Sequence, residues 1–480
     1  MILPFLLMAL FVLFSNYTLS DGDTFFHIKV GEYISKNGFP TKDPFSFHDL
    51  SYTPHEWLSD FIFYKIFNCF GYLGLAVFLC LLMSILIFIL YKTINLLNGK
   101  TNYLSFTLAF GSAYILDIFN FVVVRPHFFS FIISVLQIYF LEAYLRSERK
   151  LCLAIIPFLS LLLANLHIGT FPLFLVLFLP YLADNLFKIN KEKIYSEGNI
   201  KHFRLILLTM LGSIVASFIN PYGIKKLLYF SIIFNSDTQT VIEWSSPSFK
   251  GFQGIIIFST FLIGLCLMIF CKSRLRVKNI LLYFGLMFMA LYSIRFYSYF
   301  ILVTGPILGE TIYENYKVNP IKLFTGKAKE VFFSFAMITV VLVSIFFKFS
   351  YNFEAVNFEN FPENAVKYLK ENTSYNNIRL YNDYIYGGYI MLNGIKVFID
   401  SRQDLYLDVY NSNCEVYSDY LNLTRGKVHY KDILKKYNFE YLIITKNTLL
   451  ENYLSFDKEY IQILSDKDSV LYKKIEWAKD

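Results

Sequence analysis

Two carboxylates and an imidazole stand close together in Asp21-Gly-Asp-Thr-Phe-Phe-His27, directly after an apolar run. The Asp-x-Asp spacing offers hard oxygen donors of the kind that hold Mg²⁺ or Mn²⁺. A carboxylate here can also orient or deprotonate an incoming hydroxyl or amide. Further along come His48, His55-Glu56, Arg125-Pro126-His127, Asn165 with His167, Glu243-Trp244 and Arg295. Glu243 would complete an oxygen ligand set with Asp21 and Asp23. Arg295, with Arg125 as a lesser candidate, would neutralise an anion. An Asp-x-Asp alone is common by chance, so the question is whether these distant residues share one side of the molecule.

The elements that must position them are membrane helices. The chain has 480 residues, 55% hydrophobic and only 17% charged, against about 25% charged in soluble domains. Eleven apolar runs approach the roughly 20 residues that cross a bilayer: 1–19, 71–95, 103–124, 126–145, 151–167, 168–187, 203–220, 253–271, 277–294, 297–314 and 330–350. Residues 1–19 have no basic segment before them and no small-x-small site after them, which favours an uncleaved anchor over a removed leader. Shorter amphipathic helices are expected at 25–35 and 56–70. Loops on one side of this bundle carry eighteen Lys and Arg, those on the other nine. The richer side is expected to be cytoplasmic, which puts the N-terminus inside and the last 130 residues outside. The net charge of +7 follows from this asymmetry, and no nucleic-acid motif accompanies it. Six cysteines without a CxxC give no disulfide framework.

Near position 351 the long apolar runs stop. The expected organisation is a membrane domain over 1–350, with its first external loop at 20–58, and a small α/β domain over 351–480. In that domain 362–372 and 431–437 have helical periodicity. Segments 378–380, 389–392, 396–399 and 441–445 read as strands, with turns at 386–388 and 393–394 and a hairpin across 462–474.

On this topology Asp21, Asp23, His27, His48, His55, Glu56, Arg125, His127, Asn165, His167, Asn220, Glu243 and Arg295 all fall at or beyond the outer membrane edge. Each has a plain structural use when taken singly: Asn220-Pro-Tyr-Gly223 a turn, Asn165 and His167 satisfied hairpin groups, Arg125-Pro126 an interfacial anchor, His55-Glu56 a helix cap. Their joint placement is what those uses leave unexplained, since ionisable groups at a bilayer edge are costly to keep. An outward cluster of acids and bases suits transfer from a membrane-bound phosphate donor. There the leaving phosphate gains charge and needs a divalent cation or Arg/Lys.

At these residues the chain resembles the GT-C class of polyprenyl-phosphate-dependent glycosyltransferases, and within it the catalytic subunit of oligosaccharyltransferase. Asp23-Thr-Phe-Phe-His27, followed by Asn37-Gly-Phe-Pro40 and Asp43-Pro44, is similar to the family's first external loop. Thr240-Val-Ile-Glu243 is similar to the short motif of a later loop, whose Glu contacts metal and acceptor. Arg295-Phe296 resembles the family's Arg facing donor phosphate or acceptor. Asn382-Asp383-Tyr384-Ile-Tyr386-Gly387-Gly-Tyr389 resembles the soluble-domain segment that reads the acceptor, without that motif's Trp residues. The family usually has about thirteen spans, and where its second loop carries an acidic pair this chain has Asp117 and then Arg125-Pro-His127. The chain is also similar to a set of bacterial membrane proteins with an Asp-x-Asp-aromatic-aromatic-His start, here with Thr24 as one extra residue, and a later His-Glu-Trp, here His55-Glu-Trp57.

The resemblance implies an integral-membrane enzyme moving a sugar or glycan from a polyprenyl-linked donor to a glycan, lipid or protein acceptor on the outer face, with inversion. Asp23 would be base or metal ligand, with Asp21 and Glu243 completing a Mg²⁺ or Mn²⁺ site. Arg295 and Arg125 would face the donor phosphate. His27, His55, Glu56, His127 and His167 would line the pocket, and Asp383, Tyr384 and Tyr386 would lie on the acceptor side. Two alternatives stand beside this: a non-catalytic scaffold that keeps the bundle, and a transporter or flippase of lipid-linked saccharides. A nearly charge-free midplane speaks against the last.

Overall fold

Long apolar segments can cross a bilayer only if every backbone polar group is satisfied within the segment, which makes them helices. The computed structural model describes residues 21–99, 103–223, 226, 244–318 and 358–475, and these are mostly helical with two small sheets. Among them five helices are long and apolar enough to span: Trp57–Asn98, His127–Ser147, Ile168–Leu186, Ile200–Ser217 and Phe252–Phe270. Thr107–Ile118, Lys150–Leu166 and Val277–Tyr292 are shorter apolar helices, and Arg295–Val318 follows the last of them. The expected spans at 1–19 and 330–350 lie outside the described residues. The chain divides into two units.

Unit 1 comprises Met1–Asn16, Ala76–Ile224 and Asp237–Phe353. Its helices leave large apolar side chains such as Leu208, Val215, Phe258, Phe270 and Phe288 exposed, the pattern of a helix made to face lipid. Polar atoms between helices are satisfied locally. Ser160 donates to the Ser213 carbonyl at 2.6 Å and Tyr283 to that of Phe261 at 2.6 Å. Asn165 donates to the carbonyls of Leu161 and Ile219, both at 2.9 Å, so it is satisfied as expected, but by the end of another helix rather than within its hairpin. Asn220 likewise ties its own turn, accepting from Tyr222 N at 2.9 Å.

Val277–Tyr292 and Arg295–Val318 form an antiparallel pair, since Asn279 bonds Glu310 at 3.0 Å. At that end Glu142 pairs with Lys278, both buried, and accepts from Tyr181. Arg276 pairs with Asp184 at 2.8 Å. A small sheet sits in the same loops, β1 (Lys188–Asn190) antiparallel to β2 (Ile194–Glu197), itself parallel to β3 (Leu275–Arg276). The opposite end of the helix pair carries Arg295.

Unit 2 gathers Tyr17–Leu75, Lys225–Ser236 and Glu354–Asp480, so the first loop and the C-terminal residues make one body. Helix Gly22–Asn37 covers the expected 25–35. The helix expected at 56–70 is the first part of Trp57–Asn98, ended by Gly71 at φ 61°, a left-handed conformation that glycine adopts without strain. The sheet runs β4 (Leu380–Asn382), β5 (Tyr441–Thr445), β7 (Ser469–Lys474), β6 (Tyr460–Ser465). β4 and β5 are parallel, and the other pairs antiparallel. Helices Glu363–Asn372 and Tyr430–Tyr437 and the β6–β7 hairpin match expectation.

Two expected strands are corrected. Residues 389–392 belong to helix Gly387–Leu392, and 396–399 contributes only an isolated bridge from Val397 to Ser46. The reason is packing. Gly388 lies so close to the first helix that a Cβ there would strike the Gly22 carbonyl, and one at Gly387 would strike the backbone of Ile399 and Asp400. The apolar residues that follow are therefore buried as a helix against Gly22–Asn37. Phe25 meets Tyr389 at 5.6 Å and Phe361 at 4.9 Å, both edge-on.

One buried arginine ties the first loop to the C-terminal residues. Arg402 Nε and Nη2 fork onto Asp400 at 2.9 and 2.6 Å, and Nη1 donates to Asp43 at 2.7 Å. Tyr406 donates to Asp400 at 2.7 Å, and the guanidinium stacks near Phe45 and Tyr52. Burial alone would raise the Asp43 carboxyl, but the Arg402 charge and hydrogen bonds from Arg402 and Ser46 outweigh it and hold it below the usual range.

Candidate functional site

In unit 2 the first helix sets out the chemistry. Asp21 immediately precedes it and Asp23 lies in its first turn, where the amide dipoles favour negative charge. Both are half-buried. One turn on, His27 is buried, with Nδ1 at 2.6 Å from Asp60 Oδ1 and Nε2 at 3.8 Å from Glu56 Oε2. Glu56 immediately precedes helix Trp57–Asn98, and its carbonyl accepts from Asp60 N at 3.0 Å, so the two carboxylates, four residues apart, lie on the side that meets His27. The two helices approach closely because position 31 is glycine, where a Cβ would overlap the Asp60 carbonyl.

Lys226 joins the same set. It is fully buried, and its Nζ has no hydrogen-bond partner among the described residues. Burial pushes its amine down to about 7, against the opposing pull of the Glu56 and Asp60 charges. His55 Nε2 lies 3.4 Å from Asp404 Oδ2, with its ring edge-on to Tyr410.

The C-terminal motif residues flank this helix with inward-facing functional groups. Asp383 accepts from Thr445 N and Oγ1 at 2.6 and 2.7 Å and from Tyr381 at 3.2 Å. Burial still holds its carboxyl above the usual range. Tyr384 donates to the Ser401 carbonyl at 3.1 Å and Tyr386 to that of Asp468 at 3.1 Å. Burial, then the charge of Asp23, raises the Tyr384 phenol, which makes Asp23 and Tyr384 electrostatic neighbours.

In unit 1 a second constellation forms at the helix ends. Arg295 begins its helix, half-buried, with its guanidinium 5.1 Å from the Trp244 ring and Nη2 at 3.0 Å from His167 Nε2. His167 ends helix Lys150–Leu166, and its Nδ1 lies 2.6 Å from Ser130 Oγ. Thr170 donates to Ser130 at 2.8 Å. His127 bonds the Phe121 carbonyl at 2.9 Å at the start of the helix that carries Ser130, and half-buried Arg125 precedes it by two residues.

The structure thus brings Asp21, Asp23, His27 and Glu56 onto one helix pair, and His167 onto Arg295. Asp23 and Arg295 fall in different units, and Glu243 lies outside the described residues. Among the described residues no three His, Cys, Asp or Glu side chains gather as a metal site. Of the expected oxygen ligands, Asp21 and Asp23 are described. Asp60, Lys226, Ser130 and Thr170 are site neighbours that no sequence motif marks. Asp60 alone has a local signal, as an acid four residues after Glu56.

No family model and no curated protein matches the chain by sequence. Solved structures do match. The apo oligosaccharyltransferase of Archaeoglobus fulgidus superimposes with TM-score 0.55 at 11% identity, over 92% of this chain and 69% of that one. The same enzyme tethered by a disulfide to an acceptor peptide containing the NVT sequon gives 0.58 at 10%, over 99% and 74%. Arabinofuranosyltransferase AftD from mycobacteria gives 0.57 at 10%, over 98% of this chain and 41% of that one. Both enzymes are GT-C glycosyltransferases. At such identity the likeness is one of architecture, and the chain is a membrane-embedded protein with the fold of the GT-C glycosyltransferases.

Proposed function

We propose that this protein is an integral-membrane glycosyltransferase. It moves a sugar or glycan from a polyprenyl phosphate or diphosphate to an acceptor glycan, lipid or protein on the extracytoplasmic face. The observation that carries this reading is the fold shared with two glycosyltransferases over more than nine-tenths of the chain. The Lys/Arg asymmetry of the loops supports the orientation, with the N-terminus cytoplasmic and the C-terminal domain outside.

In the proposed reaction the acceptor oxygen or nitrogen attacks the anomeric carbon from the face opposite the lipid. The bond from that carbon to the phosphate oxygen breaks, and its electron pair leaves with the phosphate. The acceptor's proton passes to the Asp23 carboxylate. Arg295, with Arg125 of the same unit as a lesser candidate, meets the charge that grows on the leaving group. His27, held by Asp60 and Glu56, fixes the helix face that presents Asp23. Asp21, Asp23 and Glu243 are hard oxygen donors suited to Mg²⁺ or Mn²⁺, and such an ion would supply further charge neutralisation at the phosphate.

The test is a transfer assay in membranes with a labelled polyprenyl-linked sugar. Asp23→Asn should lower product formation by about 100-fold or more while leaving the protein folded. Undiminished transfer in that variant removes Asp23 from the chemistry. Movement of the labelled lipid across the membrane without a covalent product would point to a flippase instead.

A further inference from the structure

Arg295 is held more specifically than an anion-binding arginine needs to be. A guanidinium only donates, so the contact from Nη2 to His167 Nε2 at 3.0 Å requires an unprotonated Nε2. The ring is then neutral with its proton on Nδ1, which donates to Ser130 Oγ at 2.6 Å. Ser130 also accepts from Thr170 at 2.8 Å. Ser130, His167 and Thr170 are all buried, so neither the tautomer nor the ring orientation is free to vary. Trp244 lies 5.1 Å from the guanidinium carbon, against one face of the group. Among the described residues no protein acceptor takes the remaining N–H groups of Arg295.

We propose that His167 is a positioning residue. Its neutral ring, locked by Ser130, spends one Arg295 donor and turns the others toward the phosphate of the lipid-linked substrate. This deepens the proposed function and rests on it. Bidentate recognition of a phosphate is a matter of angle as much as charge, so a loose Arg295 would bind the anion less tightly at unchanged net charge.

The full chain in detergent micelles, titrated with farnesyl phosphate and with farnesol as the phosphate-free control, tests this. His167→Ala should weaken farnesyl phosphate binding by about tenfold or more, the loss of a well-placed charge-assisted contact. Farnesol binding should stay unchanged, and any fall in the unfolding midpoint should be shared by the Gln variant. His167→Gln, whose amide oxygen can accept from Arg295, should restore binding to within about threefold of wild type. Arg295→Ala should abolish the preference for the phosphate. Wild-type affinity in His167→Ala with loss in Arg295→Ala overturns the positioning role and leaves the glycosyltransferase reading standing. An undiminished phosphate preference in Arg295→Ala overturns both. Equal weakening of farnesyl phosphate binding in the Ala and Gln variants makes His167 a packing residue and also overturns the proposal.

Discussion

Two arginines show how one side chain serves two ends in this molecule. Arg402 is fully buried in unit 2, with Nε, Nη1 and Nη2 all engaged by Asp400 and Asp43. Its charge is cancelled on the spot, and Tyr52 and Phe45 close around it. Arg295 is half-buried in unit 1, leaning on a neutral histidine and one aromatic face. No carboxylate among the described residues pairs with it. A guanidinium matched by carboxylates holds a fold together, whereas one that no carboxylate among the described residues matches is suited to an incoming anion.

The largest effect should come from the cancelled one. Arg402→Met would leave Asp43 and Asp400 buried without a cation, at a cost of about 3–5 kcal/mol. Thermal unfolding of the purified protein should show it as a steep loss of midpoint. A midpoint close to wild type would mean that the Asp43 and Asp400 carboxylates are not dependent on Arg402. Arg295→Ala should do the reverse, with transfer falling about 100-fold and unfolding hardly moved.

Gly388→Ala sharpens the contrast from the side of the first helix. The added methyl meets the Gly22 carbonyl, so the helix bearing Asp23 must shift, with a stability loss of about 1–3 kcal/mol. Transfer should fall by more than that loss of folded protein explains. Transfer that merely tracks the folded fraction would detach Asp23 from the chemistry.

Lys226 gives a pH signature. Its amine is depressed to about 7 in the folded protein against about 10.4 unfolded. Between those values the unfolded chain binds more protons, so stability rises with pH. From pH 7 to 9 the gain should be roughly 2 kcal/mol, and Lys226→Met should flatten that part of the curve. An unchanged slope in the variant would show that another group titrates there.

The sequence made the helices legible because a bilayer leaves the backbone no alternative, and a run such as 127–147 announces itself by length and apolarity. Asp23 and His27 are equally readable as a motif, although the expected helix at 25–35 starts after Asp23, which the structure places in its first turn. Partners far along the chain are not. Nothing local links Asp43 to Arg402 or Ser130 to His167, and Lys226 reads as an ordinary loop lysine until its burial is seen. Short apolar runs also mislead, since strand and helix look alike over four residues. Tyr389–Leu392 is helical because the two glycines before it admit another helix, a fact that periodicity does not carry.

The most direct measurement is a structure of the full chain with a polyprenyl phosphate bound. On this account the phosphate lies within about 3 Å of the Arg295 guanidinium. A phosphate seated away from Arg295 would contradict the account.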